Sequence, residues 1–356
     1  MEVYAALNDP HLPLRDVPAY AQRVERLGFS ALLIPEATHD GFLTALLALE
    51  HTRTLTVTTS VVVAFPRSPT TTAYAAWDLQ ALSDGRFQLG LGSQVRGNIE
   101  GRFGVAWTPP VERMRDYVGA LRAVWSCWQG GGPLRYESES YRLSRMQPFF
   151  RPAPIARGEI PVVLGGVNPG MTRLAGEIAD GFVTHPTNSS PRYLREVVRP
   201  HLRAGAERVG RDPAEVRLLA STFVACGADA AAVAREREQI LAHLGFLYST
   251  PQYWPTLDLY GWGEIGRRLQ QLVREGRWQD LASAVPATLF DQLVPSGTYD
   301  EIGPILQAWY GDLATGITLR MPDDPGADAA LGRLVATLAQ RSSRPAAAIM
   351  PIAPPK

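Results

Sequence analysis

A repeated change of period constrains this chain more than any single motif. Short apolar or β-branched runs, which read as buried strands, alternate with stretches whose apolar residues recur every three or four positions, which read as helices packed by one face. Phe87, Leu89 and Leu91 alternate after the Asp84-Gly85 turn, and from Pro109 onward Val111, Met114, Val118, Leu121, Trp125 and Trp128 share one helical face. Read this way, the chain predicts strands from Glu2 to Leu7, Ala31 to Ile34, Thr56 to Val63 and onward from Phe87. Four more follow, from Pro161 to Leu164, at Phe182-Val183, from Val216 to Val224 and from Gly316 to Met321. About eight strands alternating with about eight helices predict a parallel (β/α)8 TIM barrel. A doubly wound open sheet is the alternative.

Two stretches interrupt the rhythm. Residues 130–152, with Tyr136, Tyr141 and Leu143, predict a surface hairpin, and residues 245–296 interleave Tyr248, Tyr253, Trp254, Tyr260, Trp262 and Trp278 with Pro and Gly as a mostly helical insertion. With no linker or repeat, residues 1–342 read as a single barrel domain, and residues 343–356 as a flexible Pro- and Ala-rich tail.

Composition narrows the function classes. The 35 basic and 35 acidic side chains cancel, so no net field recruits nucleic acid or an anionic membrane. The only lysine is Lys356, which leaves no internal lysine for a Schiff base, a pyridoxal cofactor or a phosphate-binding P-loop. Cys127 and Cys226 form neither a disulfide framework nor a metal-ligand spacing, and no apolar run is long enough to span a bilayer. These features predict a cytoplasmic globular protein without a metal. A metal hydrolase would need His-x-His or His-Glu-x-x-His, and neither occurs.

In a parallel barrel, ligands sit where strands end at the C-terminal mouth. His11, His39 and His185 fall after predicted strands, whereas His51, His201 and His243 fall on predicted helices. Glu36, His39 and Asp40 follow the second strand; the alternative to a proton-transfer group there is a loop capped by Asp40. Gly90 and Gly92 interrupt the fourth strand, where either a ligand or a neighbouring strand approaches the backbone closely. Gly165-Gly166-Val167-Asn168-Pro169 opens a helix and offers backbone N–H groups to an anion, or is simply a tight turn. Arg320, after the last strand, is either a countercharge or a snorkelling surface arginine. The aromatic run from Tyr248 to Trp262 is either a lid over an apolar substrate or an oligomer interface.

Several strings together resemble the bacterial luciferase-like superfamily. Leu82-Ser83-Asp84-Gly85-Arg86-Phe87-Gln88-Leu89-Gly90-Leu91-Gly92-Ser93 is similar to its fourth-strand signature, and Pro161 to Gly166 with Ala175 to Gly181 is similar to its fifth strand, helix and sixth strand. Gln94-Val95-Arg96, Arg102-Phe103-Gly104 and Glu112 to Tyr117 resemble the branch that uses the deazaflavin coenzyme F420. The resemblance implies hydride transfer between F420 and a small, apolar or ring-shaped substrate. It also implies a non-prolyl cis peptide at Ser60-Val61 against the central ring, with Gly92, Ser93 and Gln94 flanking it. Gly165, Gly166 and Val167, together with Thr184 and His185, would carry the phosphate and tail. The sugar-phosphate dehydrogenases of this superfamily place an Asp-His pair where this chain has Glu36-Ala37, and a Glu where it has Val95. Sugar-phosphate oxidation is therefore not expected, and Glu36 or His39 is left for proton transfer. The alternatives are an FMN-dependent monooxygenase fed by a separate reductase and a non-catalytic barrel whose mouth the aromatic insertion blocks. A homodimer is expected from the surplus of tryptophan and tyrosine.

Overall fold

The computed structural model describes residues 1–7, 9 and 11–340. The tail expected at 343–356 lies outside the described residues. Eight parallel strands carry the architecture: β1 (Glu2–Ala6), β2 (Ala31–Ile34), β3 (Thr56–Thr59), β4 (Phe87–Gly92), β5 (Val162–Gly165), β6 (Gly181–Val183), β7 (Arg217–Ala220) and β8 (Gly316–Leu319). Each pairs with the next, and β8 closes on β1 with Glu2 opposite Gly316, so the predicted (β/α)8 barrel is the observed fold. Alternation along the strands sorts side chains into two cores. In β1, Val3 and Ala5 pack outward among the helices, while Tyr4 points inward to meet Leu33, Val163, Val183 and Leu219. At the N-terminal end, Tyr4 meets Glu2 and Arg217, whose Nη2 donates to the Tyr4 hydroxyl at 3.0 Å. The barrel interior is thus filled, as closure with eight strands requires.

The structure departs from the sequence expectation at three places, each for a local reason. The strand expected from Thr56 to Val63 breaks after Thr59, because the Ser60-Val61 peptide bond is cis. Val62-Val63 then resumes pairing against Leu91 and Gly92. The strand expected from Val216 to Val224 ends at Ala220: the Thr222 backbone N–H donates to Thr318 Oγ1 and its hydroxyl meets Tyr310, turning the chain outward. Ala225–Gly227 then pairs in parallel with Ser296–Thr298 in a separate sheet. The helix after β6 contains a π turn at Leu194–Val198, separated by one residue from Pro200, whose missing N–H cannot serve an ordinary helical bond.

Between the strands of that small sheet lies a helical lobe, with helices Ala230–Tyr248, Trp254–Leu259, Gly263–Arg274 and Ala287–Leu293. It has its own core of Ile240, Leu244, Tyr248, Leu257, Leu269 and Phe290. Helix Ala230–Tyr248 runs past residue 245, where the insertion was expected to begin, so the insertion shares its first helix with the regular alternation. The expected hairpin is present as Tyr136–Glu137 against Arg142–Leu143. No helix among the described residues is long and apolar enough to cross a membrane.

Candidate active site

The strand ends at the C-terminal mouth bring together most of the residues singled out in the sequence, and their hydrogen bonds separate those that are engaged from those that are free. After β2, the Glu36 carboxylate accepts from the Val63 backbone N–H at 2.7 Å and from Arg67 Nη1 at 2.9 Å. Arg67 also reaches Asp40 at 2.7 Å and lies over the Phe42 ring at 5.7 Å. Asp40 in turn caps helix Gly41–Glu50 by accepting from the backbone N–H groups of Phe42 and Leu43. Glu36 is therefore engaged as an acceptor that ties β2 to the segment after β3. His39 stands half-buried between Glu36 and Asp40 and makes no hydrogen bond among the described residues. His11 is exposed on its loop and donates its backbone N–H to Asp9 at 2.8 Å.

Val61 forms the floor of the mouth. A side chain at Gly92 or Gly165 would collide with its methyl groups, and one at Gly90 would strike the Thr59 carbonyl. The close approach expected at Gly90 and Gly92 is thus made by the chain itself, through β3 and Val61, and needs no ligand to account for it. Beside this floor, Gln94 adopts a left-handed backbone conformation at φ 57° and turns its carboxamide oxygen onto the Val95 N–H at 2.9 Å. For a residue other than glycine that conformation costs about 1–2 kcal/mol. Ser93 Oγ donates to the Gln94 carbonyl at 3.3 Å.

After β5, the Gly165-Gly166-Val167 turn leads into helix Pro169–Ile178, whose N-cap Asn168 makes no side-chain cap. A Cβ at Gly166 would come within 2.8 Å of the Met171 side chain, so this glycine is required by its own helix. After β6, Thr184 is buried, and its hydroxyl is shared with Ser189 and the Ser221 N–H. Thr184 thus braces β6 to the segment after β7. His185 has a different environment. Its Nδ1 accepts from the Thr187 N–H at 3.4 Å and lies 2.9 Å from the Thr187 hydroxyl. Burial lowers its pKa from 6.5 to about 4. A neutral ring that accepts at Nδ1 carries its proton on Nε2. The Tyr253 ring of the helical lobe lies parallel to it, at 4.8 Å and 5°. At β8, Arg320 is engaged by Glu236 at 2.9 Å, Gln239 at 2.7 Å and Asp323 at 3.2 Å, so it acts as a brace to the lobe.

Sequence reasoning missed the polar string Thr187-Asn188-Ser189-Ser190. Asn188 Nδ2 donates to the Gly166 carbonyl at 3.3 Å and joins the β5 and β6 turns. Ser190 precedes the helix that begins at Pro191; its hydroxyl is buried without a partner among the described residues and makes no cap. The signal was there: a run of small polar residues between Pro186 and Pro191 directly after a strand. Val167, Thr187, Asn188 and Tyr193 face Gln252, Tyr253, Pro255 and Thr256 across a narrow seam. Among the described residues, no group of three or more His, Cys, Asp or Glu side chains could hold a metal ion.

Comparison with known proteins agrees with this architecture. A family model described as luciferase-like monooxygenase matches residues 2–316. An uncharacterized protein of Mycobacterium tuberculosis is 39% identical over 287 residues, covering 81% of this chain and 84% of the relative. The 5,10-methylenetetrahydromethanopterin reductase of Archaeoglobus fulgidus is 27% identical over 302 residues, covering 82% and 85%. In fold, the chain superimposes with a TM-score of 0.78 on the coenzyme F420 dependent tetrahydromethanopterin reductase of Methanopyrus kandleri, at 18% identity and covering 96% and 98% of the two chains. With the family model spanning nearly all of a closed eight-stranded barrel, the chain belongs to the luciferase-like monooxygenase family.

Proposed function

We propose that this protein is an F420-dependent oxidoreductase that passes a hydride between the deazaflavin and a small apolar or ring-shaped substrate. The observation that carries this reading is Ser190: a buried hydroxyl without a partner, at the N-terminus of a helix. Such a position favours a phosphate, because both the helix dipole and the uncommitted donor point to an anion. The methylenetetrahydromethanopterin reductase relative supports the reductive chemistry.

The bound deazaflavin would supply the hydride donor or acceptor at its ring carbon. Ser190 and the Val167-Asn168 turn would hold its phosphate, Val61 would support the ring, and Ser93 and Gln94 would flank it. His185 would donate from Nε2 to a ligand oxygen. Of the two groups considered for proton transfer, His39 takes that role in this proposal and Glu36 positions the loop through Arg67, because both Glu36 oxygens already accept hydrogen bonds.

A fluorescence titration with F420 and, separately, with flavin mononucleotide tests the reading. Tight binding of F420 alone supports it, whereas preference for flavin mononucleotide moves the function to oxygen chemistry fed by a separate reductase. The seating of Tyr253 over His185 favours one further reading, a non-catalytic barrel with a blocked mouth, and failure to bind either cofactor would support that. A homodimer belongs to the same proposal. Its support is helix Gly41–Glu50, where Leu43 and Leu46 are exposed and Glu50 is the only charged side chain. Sedimentation velocity should give a dimer, and a single species of 38.9 kDa would contradict it.

A further inference from the structure

We propose that Ser221 is a substrate-binding residue, whose hydroxyl holds the carbonyl oxygen of a neutral substrate at the carbon that exchanges hydride. This rests on the deazaflavin reading and adds to it a residue from the end of β7, a strand which that reading leaves unused.

Ser221 directly follows the last residue of β7. Ala220 before it packs outward among the helices, and Thr222 after it turns outward to the Tyr310 hydroxyl at 2.9 Å, so Ser221 continues the inward face of Leu219. Two hydroxyls hold its backbone: its N–H donates to Thr184 Oγ1 at 3.2 Å, and its carbonyl accepts from Ser189 Oγ at 2.6 Å. The Thr318 hydroxyl is likewise committed, donating to the Thr222 carbonyl at 3.1 Å. The Ser221 hydroxyl itself has no hydrogen-bond partner among the described residues. A fixed backbone and an unused hydroxyl make a donor placed in advance for a ligand.

Two features of the mouth say which ligand. The first is strand order: β7 lies four strands from β3 by either route around the barrel, so Ser221 stands across the mouth from Val61. A ring resting on Val61 turns its other face to β7, and the substrate must meet that face. Ala6, Val61 and Ser221 all face inward yet keep part of their surface exposed, so the mouth between them is open. The second feature is charge. Arg67 is held by Glu36 and Asp40, and Arg320 by Glu236 and Asp323. With these cations neutralised, an anionic substrate is disfavoured and a neutral one, bound through a single polar atom, is suited. Half-buried Phe223, two residues on, lies against the His243 ring at 6.1 Å and 28° and supplies an apolar wall. In the reductive direction a hydride adds to the carbonyl carbon, the π electrons move to oxygen, and a proton, assigned above to His39, completes the alcohol. Ser221 hydrogen-bonds that oxygen while the charge develops.

Full-length protein loaded with F420 is titrated with cyclohexanone and, separately, with methylenecyclohexane, which has the same shape without the oxygen; ligand NMR follows the binding. The proposal predicts that wild type prefers the ketone about five- to tenfold, that Ser221→Ala abolishes the preference, and that the variant binds F420 within about twofold of wild type. Equal weakening of F420 and both small ligands in the variant would show a structural role and overturn the assignment. Wild type without a ketone preference, or a preference that survives in Ser221→Ala, also overturns the assignment of Ser221 and leaves the deazaflavin reading intact. If wild type itself binds no F420, the reading fails and the assignment falls with it.

Discussion

Arg67 joins the segment after β2 to the segment after β3 at the rim of the mouth. Its partner Glu36 is buried at the side chain, 8% exposed, while Arg67 is 20% exposed. Removing the cation leaves a carboxylate with little water to replace it, so Arg67→Ala should cost about 2–4 kcal/mol in urea denaturation. The loss should largely disappear in the Glu36→Gln background; equal losses in both backgrounds would show that the pair is not coupled. His185 allows a second test, on pH. The unfolded chain takes up a proton near 6.5, whereas the folded ring resists protonation until about 4. Between these values the unfolded state binds more protons, so stability should fall as pH drops from about 6.5 to about 4. His185→Gln should flatten that part of the profile, and an unchanged slope would contradict the buried, neutral ring. At this scale the sequence showed where Glu36, His39 and His185 lie but not how they are used. Arg67 follows Glu36 by 31 positions, so their pairing depends on strand order and not on spacing. Gly90 and Gly92 likewise gave a true sign of close approach, but whether ligand or strand approached was settled only by Val61 and Thr59.

Among the elements, the helical lobe is organised around its own core, separate from the barrel helices. Leu269 is fully buried there, so Leu269→Ala should cost about 2–5 kcal/mol. Hydrogen exchange should quicken in residues 230–293 and leave β1, β2 and β8 unchanged; uniform acceleration through the barrel strands would show the two cores to be one cooperative unit. The regular elements were legible because their apolar periods differ. Irregular ones were not: the break at Ser60-Val61 has no apolar signature of its own, and it was the family resemblance that pointed to that bond. The short helix Arg96–Gly101 carries only Ile99 as a buried residue, too little for a period to register. The π turn near Pro200 also went unread.

In the whole molecule, closure of eight strands brings Glu36, after β2, and His185, after β6, to the same end of the barrel although they span much of the sequence. The lobe then covers one side of that mouth with Tyr253. Fold and family were accessible from strand counting and motif strings, because barrel closure depends on the number and order of elements. Substrate was not, because the covering segments are fixed by long-range packing. A mouth that selects a deazaflavin should bind F420 saturably and flavin mononucleotide markedly more weakly when the two are titrated in parallel. Equal or tighter binding of flavin mononucleotide, or binding of neither, would contradict it.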